Sequence, residues 1–504
     1  GRAFKAIRDD EIAAEAMGIN LAHHKRMAFI ISSFFAGISG AGPLVGPILA
    51  AQMGYLPSTL WIILGVIFAG AVQDMLVLWI SAKRRGRSLG QMATDEMGKF
   101  GGMILSIFLV VMTAIAMAFL ALVAIKAMAA SPWAVFSIGM TIPIALIMGC
   151  YQRFLRPGRV IETTLLGFVL LVLDIVAGGW IASIPAVAAV FTLDAKQLVI
   201  ALVIYSFAAA ALPHWLLVTP RDYLSTLMKI GTLVLLVIGI IIANPSVKVP
   251  GLTELASTST GPTFSGNLFP FLFITIACGA LSGFHGAVSS GLTPKAVEKE
   301  NQIRMIGYGS MLVESFTAVI ALIAAITISQ GVYFSTNMSA AQITAASGVS
   351  ISATSTPGEQ ADAAVKAVES MKVSDIEGNQ MQVTWDSVDE NGAAKTYEGA
   401  AALEQAAADI GETSIVSRTG GATTFAMGMA NFLKSSMAFW YHFAIMFEAL
   451  FILTTVDNGT RVARYQIGEM LGNVRKLKKF ADPTWKPGNI ITTLIATALW
   501  GGLL

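Results

Sequence analysis

Eleven apolar runs divide most of this chain, at 27–50, 58–81, 102–125, 131–151, 161–183, 196–219, 230–244, 267–291, 305–329, 436–457 and 489–504. Several are close to the ~20 residues that a helix needs to cross a bilayer. Two, 230–244 and 489–504, are short and must borrow flanking residues. In hydrocarbon each backbone donor and acceptor has to be satisfied internally, which leaves the α-helix as the spanning element here. The expectation is an all-α polytopic membrane protein with about eleven transmembrane helices. Composition supports it at one point: charged residues make up 13%, against the ~25% of an ordinary soluble chain. A net charge of +2 gives no electrostatic footprint for nucleic acid. The two cysteines, Cys150 and Cys278, lie in apolar runs and read as packing residues rather than a disulfide or metal pair.

Charge then orients the chain. With the N-terminus inside and the sides alternating, 25 of the 33 basic residues fall on inner segments, as the positive-inside rule expects. Residues 1–26 are polar and amphipathic and form a cytoplasmic surface segment; His23 and His24, beside Lys25 and Arg26, belong to that solvated end. Residues 27–329 hold the first nine spans. Residues 330–421 contain no span and carry twelve acidic and four basic side chains over 331–420. They form an extracytoplasmic soluble insertion, either a lid or partner surface or, more simply, a poorly ordered loop. Residues 422–434 suit a re-entrant or surface helix. The tenth span, a basic loop and a partial last span complete 422–504, and further spans are expected beyond both ends.

Two of the spans are interrupted. The stretch 36–57 reads AGISGAGPLVGPILAAQMGYLP, with Gly40, Gly42, Pro43, Gly46 and Pro47 close together. Each proline removes a backbone donor and clashes with the turn before it. The freed groups are tolerated where they are buried in protein or line a cavity, as in the broken helices that hold solutes in secondary transporters. A kinked structural helix with tight packing is the plainer reading. The sixth span breaks at Pro213, followed by His214 and Trp215. Gly40, Gly42, Pro43, Gly46, Pro213, His214 and Trp215 are therefore the substrate-binding candidates. Two broken helices running in opposite directions, five spans apart, suggest an inverted five-plus-five repeat.

Ionisable groups inside the spans are costly unless paired, hydrated or protonated. Asp74 follows Gln73 in the second span. His285 stands among small residues and hydroxyls, with Ser289 and Ser290 one turn on; Glu314 lies in the ninth span and Glu448 near the centre of the tenth. An imidazole or a buried carboxyl can carry a proton near neutral pH, and hydroxyls with freed carbonyls can hold a sodium ion. These six are the ion-coupling candidates; the alternative is tight packing around hydrogen-bonded polar groups. Asp174 is a further mid-span carboxylate. Asp457 and Arg461, at i, i+4 spacing, read as an ordinary local ion pair. No metal motif, phosphate loop, dinucleotide fingerprint or nucleophile–base pair occurs, so neither a cofactor, a metal nor an enzymatic activity is expected. A secondary transporter accounts for the broken helices and the titratable groups; a channel or sensor makes less use of them.

The wording of several blocks is specific. GAGPLVGPILAAQMGYLP, AGAVQDMLVLWIS, RRGRSLG, ALPHWLLVTPRDYLSTLMKIGT, GNLFPFLFITIACGALSGFHGAVSSGLTPK, IGYGSMLVESF and FWYHFAIMFEALFILTTVDNGTRVAR, in that order, resemble the carbon starvation protein A (CstA) family from about residue 36 to the end. The resemblance implies an amino acid–polyamine–cation-like fold in the bacterial inner membrane. It also implies proton-coupled uptake of small peptides under carbon limitation by alternating access, with pyruvate as the alternative solute. Relatives carry Gly-His-His-Phe just before the first block; here Ser32, Ser33, Phe34 and Phe35 stand there, and no role is transferred from that histidine pair.

Overall fold

The computed structural model describes residues 42–129, 131–155, 160–212, 218–291, 293–295, 297, 299–352, 355–388, 393–433, 436–482 and 485–504. The N-terminal segment, Gly40, Pro213, His214 and Trp215 lie outside the described residues.

The chain is a multi-pass membrane protein. Its main elements are α1 (Gly42–Ala50), α2 (Tyr55–Lys83), α3 (Leu89–Met128), α4 (Pro132–Leu155), α5 (Val160–Ala182), α6 (Pro185–Phe191), α7 (Ala195–Ala211) and α8 (Val218–Ala243). After a broken segment come α9 (Ala277–Ala280), α10 (Gly283–Gly291) and α11 (Glu300–Ile326). Helix starts follow local chemistry. Ser88 with Gln91 and Asp194 with Gln197 form reciprocal capping boxes at α3 and α7, and proline opens α4 and α6, where its missing N–H costs nothing. Large apolar side chains such as Phe68, Phe108, Ile161, Leu173, Ile204 and Ile242 point outward, the surface expected of helices bathed in lipid rather than water.

Among the described residues, seven helices are long and apolar enough to cross a membrane, or eight if α6 and α7, bent by 60°, make one span. The difference from eleven has identifiable sources. Most of the first apolar run is not described, the eighth is broken into short pieces, and the last helix, Lys486–Gly501, has 16 residues. The sixth and seventh runs also divide differently from the expectation. Helix α7 ends at Ala211 and α8 runs from Val218 to Ala243, so Val218 and Thr219, at the end of the sixth run, belong to α8.

The described residues of 330–421 form regular elements, which corrects the loop reading. They form α12 (Gln330–Asn337), α13 (Ala340–Ser347), α14 (Pro357–Ser370), the antiparallel hairpin β1 (Thr384–Val388) and β2 (Ala394–Glu398), and α15 (Gly399–Asp409). Alanines at helical spacing supply a thin core: Ala361, Ala364 and Ala367 on α14 and Ala402, Leu403 and Ala406 on α15 are buried. Capping boxes start α13 at Ser339 and α14 at Thr356. Acidity on the outer faces had masked this pattern. Every residue of α12 is buried; Tyr333 donates to the Ile48 and Leu49 carbonyls of α1 at 2.8 and 3.0 Å.

Two last membrane elements close the core. Helix α16 (Ala422–Phe432) is buried along nearly its whole length, so it is an interior helix and not a surface one. Every residue from Tyr441 to Asp457 of α17 (Met437–Gly472) is buried. A helix apolar on all sides belongs at the centre of a bundle, and α17 occupies that place.

Candidate functional site

The break in the membrane region lies in the eighth apolar run. Ile276 (φ −98°, ψ 11°) and Leu281 (φ −158°, ψ 95°) leave the helical region on either side of α9. Gly279, Ser282 and Gly283 make such a break inexpensive. The carbonyl of Ser282 finds a partner in Gln73 Nε2 of α2 at 2.9 Å. Helix α1 packs directly on this unwound stretch. A Cβ at Gly42 would sit 2.5 Å from the Cys278 side chain, and one at Gly46 would sit 2.3 Å from the Thr275 carbonyl oxygen. The glycines of the first broken segment thus serve a close backbone approach.

Beside this contact is a cavity of ≈ 440 Å³. Gly42, Val45, Gly46 and Leu49 of α1, Met117 and Leu120 of α3, and Thr275 and Cys278 form much of its wall, with Thr455 of α17. The lining is apolar with a few hydroxyl and thiol groups, the usual character of a small-molecule site.

Behind Cys278, three ionisable side chains from three helices converge. His285 Nδ1 lies 2.8 Å from Asp74 Oδ2, and Nε2 lies 2.7 Å from Glu314 Oε2 as an ion-pair contact off the hydrogen-bond axis. All three are buried, Glu314 completely. Cys278 Sγ is 3.7 Å from Glu314 Oε1 and joins the cluster to the cavity. Such a set of groups can hold a varying number of protons. An imidazolium between two carboxylates has net charge −1; one added proton makes the set neutral. A neutral imidazole can donate from only one nitrogen, so the proton inventory belongs to the trio rather than to any member. Among the described residues no three His, Cys, Asp or Glu side chains form a group that could hold a metal ion.

The other expected positions separate from this centre. Ser290 is engaged in packing: its hydroxyl accepts from the Leu89 amide and its carbonyl accepts from Ser81 Oγ. Ser289 is half-buried. Pro43 opens α1 next to Gly279. Glu448 is fully buried, and neither carboxyl oxygen has a hydrogen-bond partner among the described residues. It lies seven residues, two helical turns, from Thr455 on the cavity wall. Asp457 stays within electrostatic reach of Arg461, as the spacing suggests, and gains partners from other helices. Its Oδ2 accepts from Tyr205 at 2.7 Å and pairs with Arg221 at 3.4 Å, while Arg461 and Arg464 donate to the last carbonyls of α7, Ala209 and Ala210.

Sequence reasoning missed a second constellation, at the junction of insertion and bundle. Glu412 Oε1 accepts from Ser131 Oγ at 2.9 Å and stands 3.3 Å from His442 Nε2; Oε2 accepts from Arg418 at 2.8 Å. Trp133 stacks on His442 at 3.7 Å. Burial works to raise the Glu412 carboxyl, but Arg418, His442 and Ser131 outweigh it and hold it at about 2. Because the folded value is depressed, its stabilisation is complete above the ordinary carboxylate range, ~4.3, and is lost as the pH falls towards 2. Amide protection over 411–421 is therefore expected to stay level between neutrality and pH ~5, then to fall progressively below ~4. Hydrogen exchange across that range checks it.

The sequence model described as "Carbon starvation protein CstA" matches residues 22–401 and 378–504. The peptide transporter CstA of Mycobacterium tuberculosis H37Rv is 50% identical over 482 residues, 94% of this chain and 59% of that protein. The peptide transporter CstA of Escherichia coli K12 is 46% identical over 476 residues, 93% and 63% respectively. The pyruvate/proton symporter BtsT of the same organism is 46% identical over 475 residues, 93% and 64%. The chain thus spans less than two thirds of the length of these relatives. By a family match that runs through nearly the whole sequence, this chain is a member of the carbon starvation protein CstA family.

Proposed function

We propose that the protein is a secondary transporter that moves small peptides into the cell by proton symport and alternating access. The observation that carries this reading is the Asp74–His285–Glu314 trio, buried against a cavity beside unwound backbone. Coupling requires that the affinity of one site depend on the occupancy of the other, and Cys278 stands between cavity and trio as the link. The cavity and the 275–282 break take the solute, with Gly42, Pro43 and Gly46 setting the approach of α1. His285, Asp74 and Glu314 exchange the proton, and Glu448 is a second carrier on α17. The same reading places the protein in the bacterial inner membrane with the N-terminus cytoplasmic and the insertion outside, following the basic-residue bias. It keeps the five-plus-five inverted repeat as the frame for the motion. Pyruvate is the second reading, favoured by the named activity of one relative at 46% identity.

Uptake of labelled dipeptide and of labelled pyruvate into proteoliposomes, using the full-length protein, tests this. Accumulation of one solute driven by an inward proton gradient is the expected result. Accumulation driven equally by sodium at constant pH would assign the coupling ion differently. No accumulation of either solute in sealed vesicles with folded protein counts against transport of both.

Two outcomes follow at single residues. In a Cys150→Ser protein, ten times the Kd of the transported solute should slow modification of Cys278 by a thiol reagent about tenfold, read by mass spectrometry. A transported solute that gives no protection would move the site elsewhere. Glu448→Gln should weaken the pH dependence of accumulation while leaving solute exchange at equal pH in place. An unchanged pH dependence removes Glu448 from the coupling path.

A further inference from the structure

The segment 411–421 joins α15 to α16 without regular secondary structure, yet it is tied to four membrane helices. At its start, the Glu412 carboxylate reaches Ser131 at the N-terminus of α4 and His442 on α17, and folds back onto Arg418 of the segment itself. Farther along, Thr419 Oγ1 accepts from Lys126 Nζ of α3 at 2.7 Å. At its end, Gly420 lies against Val123 and Lys126 of α3, and Gly421 against Ile48 and the Val45 carbonyl of α1. Both glycines have left-handed φ, +112° and +88°, a conformation that lets the backbone settle onto helix ends. Val45 of α1 and Leu120 of α3 line the cavity. The segment therefore crosses the ends of two of the cavity's walls.

The way it is held matters as much as where it lies. Ile415 and Val416 are buried, and they stand with Pro357, Ala361 and Leu403 of the insertion. Towards the membrane helices the glycine end of the segment touches Val123 and Ile48, and the other ties are polar: the Glu412 carboxylate, the Thr419 hydroxyl and Lys126. Much of the cost of release lies in the polar contacts around Glu412, where a buried charge keeps its partners only in the closed arrangement. Local openings are drawn from segments built like this.

We propose that 411–421 is the gate on the insertion side of the cavity, a strap that closes the passage while Glu412 clasps α4 and α17 and opens it when that clasp lets go. The strap stays keyed to the insertion through Ile415 and Val416, so insertion and gate act together. The role as a gate for solute rests on the transport reading; the role as a barrier to the cavity does not, and the two are tested separately.

The experiment uses full-length Cys150→Ser protein in sealed vesicles and a membrane-impermeant maleimide added from the insertion side, with Cys278 as the reporter. Glu412→Gln keeps the shape of the side chain and removes its charge. The expected result is a rise in Cys278 labelling of about tenfold, with faster amide exchange over 411–421 and unchanged protection over Gly309–Ile326. Thr419→Ala, which removes only the contact with Lys126 at the edge of the strap, should give a smaller rise of about twofold, and it serves if the first variant does not fold. Unchanged Cys278 labelling in a protein whose strap exchanges faster would overturn the gate. So would a strap as protected in Glu412→Gln as in the parent. A positive labelling result alongside absent uptake would leave the barrier standing and count against transport alone.

Discussion

His285→Asn is expected to lower proton-driven accumulation by about two orders of magnitude while solute exchange at equal pH falls by less than about tenfold. Asparagine can still offer one donor to one carboxylate, but it cannot hold a second proton. The trio then loses the ring that lets Asp74 and Glu314 sit 2.8 and 2.7 Å from a common imidazole. Two carboxylates facing one another in a buried site cannot both remain charged, and breaking such a pairing costs about 3–5 kcal/mol. One of them must take up a proton permanently, and the centre stops cycling. The check is paired: accumulation with an inward proton gradient, and counterflow with none. Equal loss in both would make His285 a structural residue. A drop in the first alone makes it the coupling group. Asp74→Asn should show the same split, because it removes the carboxylate charge beside Nδ1 and leaves the Glu314 contact.

Gly46→Ala is expected to destabilise the folded protein by about 2–3 kcal/mol. The added methyl meets the Thr275 carbonyl oxygen at 2.3 Å and the Ile276 Cα at 3.2 Å. Both are backbone, so no side chain can turn aside; α1 or the 275–282 stretch has to move. Gly231→Ala is the matched control, since its new methyl meets nothing within 4 Å and helix propensity alone predicts a gain of up to ~1 kcal/mol. Thermal unfolding in detergent separates the two. A Gly46→Ala protein as stable as Gly231→Ala would mean that α1 does not pack on the broken segment as described. Because the same displacement shifts Cys278, thiol labelling should change with stability.

Which parts of this were legible in the sequence follows from the range of each interaction. Spans announce themselves locally, through apolar runs and caps such as Ser88 with Gln91. Asp74, His285, Glu314 and Glu448 stand out for the same reason: each is a charge or imidazole in an apolar stretch. That the first three meet is not local. Asp74 and His285 are 211 residues apart, and periodicity along one helix says nothing about its neighbour. Pro213 lies outside the described residues, and the interruption on the described ones is at 276–282, where glycine and serine free the backbone without any proline. Glu412 and Arg418 escaped notice because the acidity of 330–421 was taken as a mark of an unstructured loop. The capping boxes at Ser339 and Thr356 and the alanine spacing of α14 were present in the same stretch and carried the opposite message.

Helix α12 imposes an order on assembly. All eight of its residues are buried, its Asn337 donates to Thr424 of α16 at 2.7 Å, and its Tyr333 closes the end of α1. Yet α16 and α17 are synthesised only after the intervening stretch from α13 to α15. On the proposed topology, the earlier apolar runs are inserted while α17 is still missing from their centre, and the bundle consolidates only after that stretch has folded in water and returned the chain to the bilayer. Biogenesis then passes through an aqueous folding step set between two membrane insertion steps. Lesions in the alanine core of α14 and α15 should accordingly appear as degraded or retained chains long before any defect in solute handling can be measured.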